Sequence, residues 1–256
     1  LPHLLASLGY MHYPIFGTGS TVNAVAWSLE IEIQFYLLAP LFTAVYLIRN
    51  PTVRRGLIAA AIVASGAWVQ SREVHYPYSP THGWTILTQL QWFLSGLLLA
   101  DFTATGWRTP ETSPARQRLW DVAGGLAWVL IWVLLSQRIW INLVLPWLIV
   151  VAYGSAFRGR LWPWVFSRWA LYTIGGMCYT IYLYHMLVIV SAGRLTTRFL
   201  VTPYFAVNVL IQIVLLGILV LGASSVLFAL FERPFMKRDW PRHLAARLGL
   251  AKAPPA

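Results

Sequence analysis

Trp27-Ser28-Leu29-Glu30-Ile31-Glu32-Ile33-Gln34-Phe35-Tyr36-Leu37-Leu38-Ala39-Pro40 opens an apolar run that continues to Ile48. Two carboxylates and a glutamine sit at the start of what otherwise reads as a membrane helix. Ionisable groups inside a span cost roughly 2.5–3.5 kcal/mol each at mid-helix on insertion scales. A chain carries that cost when the groups face a polar interior, and often when they do chemistry.

The rest of the chain supports a membrane setting for this stretch. Of 256 residues 58% are hydrophobic and only 11% charged, against about 25% charged in a soluble domain. Fourteen Trp, twelve Tyr and twelve Phe suit a protein with many membrane–water interfaces, where amphipathic rings settle. The net charge of +11 raises a nucleic-acid reading. The basic residues contradict it, because they fall in short clusters between apolar runs and form no basic module. One cysteine, Cys178, excludes an internal disulfide.

A spanning helix needs about 20 mostly apolar residues. Seven runs approach this: about 27–48, 56–70, 85–103, 120–137, 140–157, 170–192 and 204–231. The second is short, and the fourth and fifth are close enough to form a tight hairpin. Residues 1–26 read as the tail of an earlier helix, 4–11, and a loop. The expected fold class is all-α, a polytopic transmembrane helix bundle in a single domain over 1–256, with a cytoplasmic tail at 237–256. Segments 49–55, 104–119, 158–169 and 232–256 hold 15 of the 19 Lys and Arg residues. The positive-inside rule puts them in the cytoplasm, so the C-terminus is inside and the segment before Trp27 outside. An odd number of spans, and a start at Leu1-Pro2-His3 with no signal-peptide pattern, read as a fragment or a processed product.

On the first helix Ser28, Glu32 and Tyr36 lie at i, i+4 and i+8 and share a face. Glu30 and Gln34 point elsewhere, and Glu30 reads as an interfacial acid. Glu32 is a candidate general acid or base, or an orienting group; the alternative is a structural acid bonded across helices. A second cluster is Gly175-Gly176-Met177-Cys178-Tyr179-Thr180-Ile181-Tyr182-Leu183-Tyr184-His185. Its Cys178, Tyr182 and His185 share a face, and His185 is the only histidine inside an expected span. Entering near residue 170, His185 would lie about 22 Å along that helix, level with Glu32, so a Glu–His contact is open if the helices are neighbours. A plain hydrogen-bonded interior histidine is the other reading. Cys178 reads as a buried, unreactive thiol. His75 and His82 hint only weakly at a metal, and no metal site is expected. Gln89, Gln91 and Ser95 line a cavity or join helices. Asp101 and Asp121 read as solvated charges at cytoplasmic helix ends.

Three stretches together resemble one family. Trp27 to Tyr36 is similar to the Trp-Ser-Leu-x-x-Glu-x-Gln-Phe-Tyr signature of the acyltransferase-3 family of bacterial membrane acyltransferases. Gly175 to His185 resembles that family's Gly-x-x-Ser-Tyr-Ser-x-Tyr-Leu-Trp-His segment, with Cys178 and Thr180 in place of serines and Tyr184 in place of Trp. Glu232-Arg233-Pro234-Phe235 matches the Glu-Arg-Pro-Phe that closes the family's last helix.

The resemblance implies about ten spans with both ends cytoplasmic, of which the seven runs here correspond to the fourth onward. It implies transfer of an acyl group, usually acetyl from acetyl-CoA, to a hydroxyl of a carbohydrate or glycolipid such as a cell-surface polysaccharide. The donor is then a substrate, and no cofactor stays bound. The setting is the bacterial inner membrane. Glu32 carries over by motif position as the catalytic candidate, and Trp27, Tyr36, Tyr179, Tyr182 and His185 as substrate-binding candidates. The family's presumed catalytic histidine, and the arginines tied to acyl-CoA, belong to spans that precede these seven. Two rivals follow: a proton-coupled transporter, since intramembrane Glu and His also mark proton relays, and a non-catalytic remnant lacking the first spans.

Overall fold

The structure, a computed structural model, describes residues 1–20, 22–75, 85–107, 109, 111–137, 140–199, 202–236 and 240. Among these residues the chain forms eleven α-helices and no strand. Contacts gather them into two compact units, Leu1–Arg168 and Trp169–Ala256.

The first unit begins with two short helices, α1 (Pro2–Leu8) and α2 (His12–Phe16), where one helical tail was expected over 4–11. The chain turns between them at Tyr10, whose φ is +54°. The motif helix α3 (Trp27–Thr43) follows, and its apolar run ends in a 3₁₀ turn, Ala44–Leu47. Helix α4 (Pro51–His75) is far longer than the expected run 56–70. Pro51 suits a first helical position, where no N–H is needed. The Asn50 side chain accepts from the N–H groups of Thr52 and Val53 at 2.9 and 3.3 Å, as an N-cap does. Next come α5 (Ile86–Phe102), α6 (Pro114–Gln137), α7 (Ile141–Arg158) and α8 (Leu161–Phe166). α6 and α7 pack as the tight pair that their spacing predicts.

Helices α4, α5 and α7 share a core of Ile58, Ile62, Leu94, Leu98 and Val150. A second core, Ala127, Ile131, Leu145 and Ala152, joins α6 to α7. A methyl group on Gly66 would run into the Asn142 carbonyl, so glycine there lets α4 and α7 approach closely. The fully buried Gln91 donates to Asn142 Oδ1 at 3.1 Å. It joins helices, one of the two roles open to it.

At the end marked basic by sequence, Asp101 is not a solvated charge. It is 2% exposed and held by two guanidiniums from α4. Arg54 Nε donates to its Oδ1 at 2.6 Å and Arg55 Nε to its Oδ2 at 2.5 Å. Arg54 also donates to the Ile48 carbonyl at 2.7 Å, and Arg55 to Thr105 Oγ1 at 2.5 Å. The expectation failed because it weighed Asp101 alone, while its partners lie 47 and 46 residues away in sequence. Asp121 has a structural use as well, since its carboxylate accepts the N–H groups of Arg160 and Leu161 at 3.0 Å at the start of α8. Arg158, in the last turn of α7, pairs with Glu111 and donates to the Thr109 carbonyl at 2.8 Å. Burial alone would raise the Glu111 carboxyl. The Arg158 guanidinium, the backbone N–H groups of Thr112 and Ser113 and the charge of Arg116 together hold it below the ordinary carboxylate range.

The second unit holds α9 (Trp169–Gly176), α10 (Cys178–Thr196) and α11 (Phe205–Leu227). The expected single span 170–192 is broken, with α9 and α10 meeting at 74°. Met177 is the joint: its N–H reaches the Thr173 and Ile174 carbonyls at 3.3 and 3.2 Å, and its carbonyl accepts from Ile181 N–H at 3.0 Å. The depth of His185, measured along a straight helix from residue 170, therefore does not hold. Gln212 ties α11 to α10 by donating to the Thr196 carbonyl at 2.7 Å.

Among the described residues, five helical segments are long and apolar enough to cross a membrane: Trp27–Leu47, Pro51–Arg72, Pro114–Leu135, Ile141–Arg158 and Phe205–Met236. The bent pair α9–α10 passes the same test when the two helices are taken together as one broken span. The remaining run, 85–103, is the 17-residue α5, about 26 Å of rise at 1.5 Å per residue. The protein is a multi-pass, all-α membrane helix bundle. Of the tail 237–256 only residue 240 is described, and the His75 and His82 side chains also lie outside the description.

Candidate active site

The motif residues fall into both units. Trp27, Glu32 and Tyr36 stand on α3 in the first; Tyr179, Tyr182 and His185 stand on α10 in the second.

On α3 the two carboxylates have opposite surroundings. Glu30 is 1% exposed and accepts the backbone N–H of Tyr13 at 2.8 Å. It is not the interfacial acid that sequence suggested, because α2 folds over this side of α3 and covers it. Glu32, one step of about 200° further round, is only partly buried. No described residue hydrogen-bonds or ion-pairs with its carboxylate. Tyr36, on the same face, is exposed. Other residues of α3 are occupied structurally: Leu29 and Ile31 are buried along with Glu30, and Gln34 Oε1 accepts Ile86 N–H at the start of α5 at 3.0 Å. Phe35 stacks on Phe93 of α5 with centroids 4.2 Å apart. These residues fix α3 to α2 and α5, and no described residue binds the Glu32 carboxylate.

On α10 the second motif is built around two anchored residues. Thr180 is 3% exposed and its hydroxyl donates to the Glu232 carboxylate. The second and third sequence motifs therefore meet inside this unit. Threonine in place of the family's serine keeps the hydroxyl donor that the contact needs. His185 Nδ1 lies 2.6 Å from the Tyr182 carbonyl. A carbonyl only accepts, so Nδ1 carries a hydrogen, and in the neutral ring Nε2 holds the lone pair. No described residue hydrogen-bonds to Nε2. His185 lines an apolar groove of about 640 Å³ between α10 and α11, with Ile189, Asn208, Gln212 and Leu216 along it. The Tyr182 ring lies beside the imidazole, centroids 5.9 Å apart, and Tyr179 is exposed. Cys178, the first residue of α10, is exposed, not buried as expected.

Two histidines went unremarked in the sequence. His12 is fully buried, with Nδ1 2.9 Å from the Thr18 carbonyl and Nε2 3.1 Å from His3 Nδ1. They lie nine residues apart in a stretch with no helical periodicity to mark them. Only the fold of α1 against α2 brings the rings together.

A family model described as an acyltransferase domain matches residues 2–229. Neither a comparison with curated proteins nor one with solved structures finds a match. The matched region takes in both units and two of the three motifs whole, with Glu232-Arg233-Pro234-Phe235 just past its end. With three motifs in order on a multi-pass helical bundle, and a family model over nearly all of the chain, this protein belongs to the acyltransferase-3 family of membrane acyltransferases.

Proposed function

We propose that the protein transfers an acyl group, acetyl in the first instance, from acyl-CoA to a hydroxyl of a carbohydrate or glycolipid at the bacterial inner membrane, with its C-terminus in the cytoplasm. The acceptor oxygen attacks the thioester carbonyl carbon and the C–S bond breaks. CoA leaves as the thiolate, and the hydroxyl proton passes to a base and then to that thiolate. Glu32 orients or electrostatically supports the reacting groups. Trp27 and Tyr36 line the acceptor side of α3, and Tyr179, Tyr182 and His185 contact substrate from α10.

One observation carries the role of Glu32. It is the motif carboxylate that no described residue hydrogen-bonds or ion-pairs, whereas Glu30 accepts the Tyr13 N–H and Gln34 Oε1 accepts the Ile86 N–H. Intramembrane carboxylates are otherwise paired or bonded, so an open one is placed to meet a substrate. The family match over residues 2–229 supports the reaction class. The experiment is Glu32→Gln in the full-length protein, in membranes given radiolabelled acetyl-CoA and the host's own glycolipid and polysaccharide. Transfer of label should fall by about 10²-fold or more, the scale of a lost acid–base or electrostatic group, while the amount of folded protein is unchanged. Undiminished labelling removes Glu32 from the mechanism.

A further inference from the structure

Glu232-Arg233-Pro234-Phe235 is the sequence motif that the acyl-transfer reading leaves unused. It closes the segment Phe205–Met236, which is long and apolar enough to cross a membrane. From Phe205 to Glu232 the helical path is about 40 Å at 1.5 Å per residue. A bilayer with its headgroups is about 40–45 Å thick, so Glu232 and Arg233 stand at headgroup level. Phe235 meets the Trp240 ring edge-on there, centroids 5.1 Å apart, as aromatic residues do at a membrane–water interface. Glu232 is half-buried and accepts the Thr180 hydroxyl through Oε2 alone. No described residue hydrogen-bonds to its Oε1, and no described cation pairs with the carboxylate. Arg233 beside it is exposed, and no described residue binds its guanidinium. A cavity of about 280 Å³ opens on Glu232 between α10 and the end of this segment, with walls from the rings of Tyr184, Phe231 and Phe235.

We propose that this cavity is a site for phosphatidylethanolamine, a lipid whose head carries both an ammonium and a phosphate. The ammonium donates an N–H to Glu232 Oε1 and lies among the Tyr184, Phe231 and Phe235 rings, whose faces attract a cation. The phosphate meets the Arg233 guanidinium, one residue on. The two charges of the head thus answer two side-chain charges that form no ion pair with each other. Other occupants match less of this. An anionic head, such as that of phosphatidylglycerol, answers Arg233 but sets its phosphate against the Glu232 carboxylate. A choline head carries its positive charge with no N–H, so Oε1 stays without a donor. A metal ion lacks ligands, since among the described residues no three His, Cys, Asp or Glu side chains gather. The lipid is neither donor nor acceptor in the proposed reaction. It fastens the first turns of α10 to the end of the last long helix at the membrane surface.

The test measures lipid binding by native mass spectrometry on the full-length protein, extracted and delipidated in mild detergent. The probes are phosphatidylethanolamine, its N-methyl and N,N-dimethyl derivatives, phosphatidylcholine and phosphatidylglycerol, all with the same chains. The first four lose one N–H donor per step, down to none. Wild-type affinity should fall along that series. Phosphatidylethanolamine should bind about ten-fold or more tightly than phosphatidylcholine, the scale of a hydrogen bond to a charged group. Glu232→Gln keeps an oxygen for the Thr180 hydroxyl and removes the charge, so it should level the series. Arg233→Gln, at an exposed site, should weaken all four about equally and leave their order unchanged, because the phosphate is common to them. If Glu232→Gln is not recovered folded, the wild-type series and Arg233→Gln still decide. Equal binding of the ethanolamine and choline lipids, tighter binding of phosphatidylglycerol, or an unchanged series in Glu232→Gln overturns the proposal. Acyl transfer is not measured, so the lipid site and the proposed reaction stand or fall separately.

Discussion

Asp101 and Glu32 are carboxylates in the same helical unit, and the fold treats them in opposite ways. Asp101 is closed on both oxygens by Arg54 and Arg55, and those guanidiniums are themselves engaged at the Ile48 carbonyl and Thr105. Glu32 meets no described hydrogen-bond or ion-pair partner. The contrast separates two reasons for a charge in an apolar chain. A charge that is fully answered from within locks helix ends together, here α4 to α5. A charge that no described residue answers is, on the function proposed above, open to substrate. Glu30 lies between the extremes, buried and answered by a single backbone N–H.

The sharpest way to break this contrast is Asp101→Ala. It leaves two guanidiniums facing each other without an anion, and breaking a buried pair from one side costs about 3–5 kcal/mol. Thermal unfolding in detergent should show a large fall in midpoint or loss of folded protein, and a wild-type midpoint would show that the clamp is decorative. Glu30→Ala should come next. It removes the carboxylate that accepts the Tyr13 N–H, at a cost of about 1–3 kcal/mol, felt first as faster proteolysis of residues 1–26, whereas Glu30→Gln keeps an acceptor and should restore protection.

A smaller effect is expected at Glu111, whose carboxyl the protein holds below its ordinary range. A group lowered on folding contributes stability above its unfolded value, and loses it as pH falls through the folded one. Wild type should therefore lose stability on acidification below about pH 4.5, the region of the unperturbed Glu value, and Glu111→Gln should flatten that part of the curve. The smallest stability change belongs to Glu32→Gln, within about 0.5 kcal/mol despite its effect on transfer. A fall comparable to that of Asp101→Ala would mean that Glu32 has an internal partner after all, and would erase the contrast.

Much of this was legible from residue order. Apolar runs gave every long helix, since a backbone in hydrocarbon must satisfy its own hydrogen bonds. The face shared by Ser28, Glu32 and Tyr36 followed from helical geometry alone. What failed were matters of distant pairing. Asp101 looked solvated because it sits at a helix end, although Arg54 and Arg55 at the same end of the neighbouring run were a usable signal. Glu30 looked interfacial because the covering segment, α2, is five residues long and too short to stand out. The helix break at Met177 was hidden because glycines such as Gly175 and Gly176 are ordinary in membrane helices. The His3–His12 contact had no sequence signal, because it arises from two short helices folding on each other.

The broken helix has one more consequence, through Thr180 and Glu232. Because α10 starts afresh at Cys178, Thr180 belongs to a first turn rather than to a helix middle, and the Glu232 carboxylate on its hydroxyl rests against the positive end of a helix macrodipole. Had α9 run straight into α10, that partial charge would not exist at this position, and Glu232 would need a cation to offset it. The bend thus supplies a counter-charge made of backbone alone.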